Sequence, residues 1–161
     1  MFYTNSNAAG VIREVYNAIY KQNGYPDTWF CINGKPVIIG PMDANIDDYF
    51  TMKQNQWPTE QSKQNGWPWM DFVKPQRAFP NLQGVPEVIN VSVAQHPQLR
   101  FGDSAMYGEG GNCGRSYHAG REDLHENSVL YGYNLEEQFA RALEADVPVT
   151  LVTGWNEWIA G

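Results

Sequence analysis

The sequence predicts an α/β fold in which parallel strands alternate with helices. Three observations carry this. Val/Ile-rich runs such as Val37-Ile38-Ile39 and Val149-Thr150-Leu151-Val152 suit strands buried on both faces. Segments with helical spacing of apolar residues lie between such runs. Polar residues able to do chemistry follow the strand candidates, where parallel α/β proteins meet their ligands.

The elements follow in order. Phe2-Tyr3-Thr4 has the character of a strand end. Val11, Ile12, Val15, Tyr16, Ile19 and Tyr20 then share one helical face, with Asn5, Ser6 or Asn7 able to cap it and Gly24 able to end it. Asn33-Gly34 separates two apolar runs and predicts a tight hairpin turn. Pro36 to Ile39 is a buried strand, and Asp47 to Lys53 a further short one. After a polar, turn-rich stretch from Trp57 to Asn65, Trp67 to Val73 and Val88 to Ala94 are further strand candidates. From His96 to about Tyr133 runs a long connection with seven glycines, a length that is usually functional or disordered. Asn134 and Glu137 have capping-box spacing before a helix whose apolar face is Leu135, Phe139 and Leu143, with Ala140 and Ala142 near them. Val147 to Thr153 closes the series as a strand, followed by Gly154-Trp155-Asn156-Glu157-Trp158.

A full eight-stranded α/β barrel needs about 250 residues. At 161 residues, beginning and stopping at strand ends, residues 1–161 are expected to be part of one (β/α)8 TIM-type barrel domain, without its early strands and its closure.

Hydrophobic residues make up 42% and charged residues 18%, which excludes a disordered chain. Net charge is −7, from eleven Lys and Arg against eighteen Asp and Glu, with no basic cluster. That argues against nucleic acid and anionic membrane surfaces as partners, because both require Lys/Arg patches. No apolar run approaches the ~20 residues of a membrane span. No secretory signal opens the chain, and the compartment stays open; an extracellular or periplasmic setting suits a longer protein. Cys31 and Cys113 are expected to be unrelated thiols, and neither they nor His96, His118 and His125 have metal-site spacing. No phosphate-cradling or dinucleotide motif is present, so no cofactor is expected.

The residues past the strand candidates include Asp71, Gln95, His96, Trp155, Asn156 and Glu157, near Trp57, Trp67, Trp69 and Trp158. Carboxylates beside aromatic platforms are what glycosidic-bond hydrolysis requires: one acid protonates the leaving oxygen, the other attacks or activates water. Trp faces stack on a sugar ring, and amides bind its hydroxyls. Glu157, between two indoles, is placed for a raised pKa and a general-acid role; the bland alternative is a surface glutamate closing a strand. Asp71 is either a second acid or a structural carboxylate bound to loop amides. Trp69, Trp155, Asn156, Gln95 and His96 are candidate substrate contacts. So are Arg115 and His118, in a glycine-flanked segment that is either a lid or a solvated loop.

Val152 to Gly161 resembles the late-strand TGWNEW segment of barrel glycoside hydrolases and hydrolase-like proteins near families 71 and 99 and the WbsX-like group. Trp67-Pro68-Trp69-Met70-Asp71, Val91 to Pro97 and Gly114-Arg115-Ser116-Tyr117-His118 are similar to other parts of that group. The resemblance implies a site role for Glu157, with Trp155 and Asn156 beside it, and hydrolysis of a poly- or oligosaccharide when the barrel is complete. The histidine-glutamate motif of the family 99 endo-mannosidases is missing, which leaves the substrate open. The rival expectations are a non-catalytic carbohydrate-binding barrel, a decayed fragment, and a barrel lyase or esterase with His96 as base. Glycan, linkage, stereochemical outcome and oligomeric state are not legible.

Overall fold

The computed structural model describes residues 1–92 and 114–155. The chain divides into two compact units, Met1–Asn55 with Asn65–Trp67, and Gln56–Gln64 with Pro68–Gly161. The fold is mixed α/β with parallel strands in each unit. Among the described residues, no helix is long and apolar enough to cross a membrane.

In the first unit, β1 (Phe2–Tyr3) and β4 (Thr51–Gln56) flank β3 (Lys35–Ile39), both parallel to it. Val37, Ile38 and Ile39 are fully buried, as a strand covered on both faces demands. β2 (Cys31–Ile32) pairs antiparallel with β3 through the Asn33-Gly34 turn, and β5 (Gly66–Pro68) extends the sheet beyond β4. Asn33 and Gly34 both have positive φ, 52° and 76°, which is what a two-residue hairpin of this hand needs.

Helix α1 (Ala8–Val15) continues as a π-helical turn, Tyr16–Tyr20, rather than as one α-helix. Ile12 and Tyr20 pack with Ile38, Phe50 and Met52 into one apolar cluster. A Cβ on Gly40 would lie 2.6 Å from Thr4 Oγ1 and 2.9 Å from Ile12 Cδ1, so only glycine permits this close approach at the end of β3. Trp67 is also core: it is fully buried, with the Lys53 ammonium 5.4 Å from its ring centre, so it offers no face to a sugar.

Two strand boundaries differ from expectation. Asp47 and Asp48 hold left-handed backbone (φ 49° and 53°), so the strand begins at Thr51. The run from Trp67 is extended only to Pro68, and the chain beyond it is a loop organised by Asp71.

In the second unit, β7 (Pro86–Ser92) lies between β6 (Ala78–Pro80), antiparallel, and β8 (Val149–Thr153), parallel. Helix α2 (Tyr133–Ala145) covers one face, where Leu135, Ala142 and Ala145 meet Ile89 and Val91. Its buried stripe is Asn134, Gln138 and Ala142; of the predicted apolar face, Leu135 and Ala142 meet the sheet, whereas Phe139 (38%) and Leu143 (80%) are exposed.

The reason is an uncovered strand edge. β6 stops opposite Ile89, and the last backbone groups of β7 need partners. Gln138 supplies them: its Oε1 accepts from Ser92 N at 2.9 Å and its Nε2 donates to Ser92 O at 2.9 Å. Gln76 Nε2 donates to Asn90 O (3.3 Å) and to Gln138 O (3.2 Å). Gln138 also donates to Asn134 Oδ1, and Asn134 Nδ2 to Tyr117 O, both at 2.6 Å.

The predicted capping box does not form. Gly132 (φ 69°) is the N-cap, Asn134 turns inward, and Glu137 Oε2 accepts from Ala119 N at 2.6 Å. Replacing Gln138 with Leu strands two buried backbone groups of Ser92. It is expected to destabilise the second unit by about 3 kcal/mol, read from urea unfolding, at roughly 1–3 kcal/mol for each unpaired group.

Candidate functional site

The carboxyl ends of the parallel strands β7 and β8 carry a run of polar groups. Asn90 and Ser92, two apart, share the β7 face opposite Ile89 and Val91. Asn90 Nδ2 donates to Leu151 O at 3.0 Å and to Thr153 Oγ1 at 2.9 Å; Thr153 Oγ1 in turn donates to Trp69 O. This chain ties the Trp69 backbone to the end of β8. The Trp69 ring, half-buried, meets Trp57 edge to face at 5.9 Å and 88°. Trp155, two residues past β8, is 54% exposed. Asn90 Oδ1 and Ser92 Oγ are buried acceptors with no hydrogen-bond partner among the described residues.

Trp69 and Trp155 therefore lie at one strand end. Gln95, His96, Asn156 and Glu157 lie outside the described residues. Asn90, Ser92 and Thr153 were missed. Their signal was the alternation Val88-Ile89-Asn90-Val91-Ser92, which sets polar side chains on one face of an otherwise apolar strand.

Asp71 is fully buried and its oxygens are occupied. Arg77 grips it through Nη2 at 2.7 Å and Nε at 3.2 Å, and Arg77 N (2.9 Å) and Val73 N (3.1 Å) donate to it as well. Of its two sequence readings, this geometry favours the loop-organising carboxylate over the acid. Asp71→Asn is expected to lower stability by about 3 kcal/mol or more in thermal or urea unfolding, because it leaves a guanidinium at a buried site without its counter-charge.

Arg115 lies in the 3-10 turn Gly114–Ser116, and Ser116 and Tyr117 are buried. His118 Nδ1 faces Ser116 O at 3.0 Å, which places a proton on Nδ1, since a carbonyl can only accept. Its ring lies 4.8 Å from that of Tyr133. Asn134 and Glu137 tie the backbone of Tyr117 and Ala119 to α2, while Ala119, Gly120 and Arg121 are exposed.

The same packing creates a cleft of about 320 Å³ lined by Lys74, Pro75, Tyr117, Glu137 and Arg141, with Gln76 at its wall. Burial lowers the Lys74 pKa to about 8, against the opposing pull of Asp71 and Glu137. None of these residues was legible as a cluster, because they come from three separate segments. No group of three or more His, Cys, Asp or Glu among the described residues could hold a metal ion. Cys31 is an exposed free thiol.

A depressed lysine pKa means that the folded state binds the proton less well than the unfolded chain. The cost is fully present below about pH 8 and is relieved as pH rises toward the ordinary value of 10.5. Lys74→Met, which keeps the apolar stem, is therefore expected to stabilise the chain at pH 7 by about 1 kcal/mol after discounting for partial exposure. The gain in melting temperature should shrink between pH 8 and 10.

Comparison with protein-family models, curated proteins and solved structures finds no match to this chain.

Proposed function

We propose that the chain is part of a glycoside hydrolase-like (β/α)8 barrel that acts on glycosidic bonds of a poly- or oligosaccharide. The observation that supports this is the strand end built by Asn90, Thr153 and Trp69, with the exposed indole of Trp155 just beyond it. Parallel α/β proteins place their ligands at such ends. Exposed and half-exposed indoles beside amide and hydroxyl groups match a sugar ring, apolar on its C–H face and polar around its rim. Glu157, two residues past Trp155 in sequence, is the proposed acid, assigned from sequence alone.

The engagement of Asp71 by Arg77 and two amides favours a second reading, a non-catalytic carbohydrate-binding barrel, because it occupies the candidate second acid. The two readings separate in one experiment on a panel of neutral oligosaccharides. Trp155→Ala should weaken binding about tenfold under both, as loss of a stacking anchor does. Glu157→Gln should reduce turnover by about 10²–10⁴-fold under the hydrolase reading. Binding without product release, indifferent to Glu157→Gln, would leave the binding barrel. Absence of oligosaccharide binding would overturn both.

A further inference from the structure

Asn-Gly occurs three times in the first unit, at 23–24, 33–34 and 65–66. The dipeptide is chemically reactive. Glycine has no side chain to shield its nitrogen, which can attack the carboxamide carbon of the asparagine before it. The fold decides which copy reacts, because the attack needs a free glycine nitrogen and a carboxamide that can turn toward it. Two copies are locked. Gly24 N donates to Ile19 O at 2.9 Å, and Gly24 O accepts from Trp29 Nε1 at 2.9 Å. Asn65 is buried, its Oδ1 accepting from Lys53 Nζ at 3.0 Å and its Nδ2 donating to Met52 O at 2.9 Å. Asn33 and Gly34, in contrast, are both exposed, and a Cβ on Gly34 would meet no heavy atom within 4 Å. Among the described residues, Gly34 N donates to no backbone carbonyl and no hydrogen bond holds the Asn33 carboxamide.

We propose that Asn33-Gly34 is a site of spontaneous covalent modification, with water as the only co-reactant, at which Asn33 is converted to aspartate and isoaspartate. A solvent base removes the Gly34 N–H proton, and the nitrogen attacks Asn33 Cγ. The carboxamide nitrogen takes up a proton and leaves as ammonia, and a cyclic imide remains. Water opens the imide at either carbonyl, with no change of oxidation state. Cleavage of the new N–Cγ bond gives aspartate. Cleavage of the bond to the main-chain carbonyl carbon gives isoaspartate, whose backbone runs through Cβ and Cγ. The local fold allows the approach. β2 has only two residues, and so short a pair opens at its turn without disturbing the core. The isoaspartate backbone is longer by a methylene. It cannot keep the left-handed pair of φ angles, 52° and 76°, that sets Cys31 opposite Pro36. Modification therefore loosens β2 from β3, while Val37, Ile38 and Ile39 stay in the core. The inference rests on neither reading of the strand end.

The test is ageing of the full, unaltered chain in mildly alkaline buffer, with conversion at each asparagine localised by fragment-ion mass spectrometry. Asn33 should convert at least about tenfold faster than Asn23 and Asn65, whose reaction waits on local opening. In denaturant the three rates should converge, because the dipeptide is the same and only the fold separates them. In the isoaspartate form the Val37 amide, which donates to Phe30 O at 2.8 Å, should exchange with deuterated solvent about tenfold faster. Conversion of Asn33 no faster than that of Asn23 or Asn65 in the native chain would overturn the proposal. So would a lead for Asn33 that persists undiminished in denaturant, since the fold would then not be its cause. Unchanged Val37 exchange in the isoaspartate form would overturn the loosening of β2.

Discussion

The second unit depends on one side-chain amide. Gln138 presents its carbonyl and NH₂ to the backbone of Ser92 in the manner of a neighbouring strand, at the place where β6 no longer covers β7. A buried strand edge left open loses its hydrogen bonds with water and gains none in return. Gln138 and Gln76 close that edge without another strand. The consequence spreads outward. Because Gln138 must face the sheet, α2 is rotated so that Asn134 also points inward, and Asn134 holds Tyr117 O. Phe139 and Leu143 are turned outward by the same rotation.

Two polar chains thus meet near the end of β7, one on each side of the strand. On the α2 side, Gln76, Gln138 and Asn134 bond one another and the β7 edge. On the opposite face, Asn90 and Thr153 bond each other and the Trp69 backbone. Low local dielectric strengthens such chains when every member is paired. The first chain is structural, since its amides face backbone. The second ends at aromatic residues, Trp69 and, two residues past β8, Trp155.

The charged residues follow the same division of labour. Asp71 and Arg77 form a closed pair around a loop. Lys74, three residues on, is held differently: burial weakens its hold on a proton, against the opposing pull of Asp71 and Glu137. Segments that pack against α2 for structural reasons leave a cleft whose charges are aligned by helical spacing: Glu137 and Arg141, four apart, face the same side.

Patterns carried by adjacent residues were readable directly. The parallel α/β character, the buried strand around Val37–Ile39, the Asn33-Gly34 hairpin and the strand ending at Thr153 all follow from local rules: side-chain alternation, β-branching and the left-handed tolerance of Asn and Gly. Trp69 and Trp155 were legible as strand-end aromatics for the same reason. What only the tertiary structure decided are the features that pair distant segments. The inward face of α2 was hidden because an apolar-periodicity argument assigns Leu to the core, whereas here two amides gain more by completing a strand edge 46 residues away. Asp71 was ambiguous because a lone carboxylate in sequence does not reveal whether a guanidinium will occupy it. The Lys74–Glu137–Arg141 cleft had no sequence signature, because electrostatic neighbours in space need share no spacing along the chain.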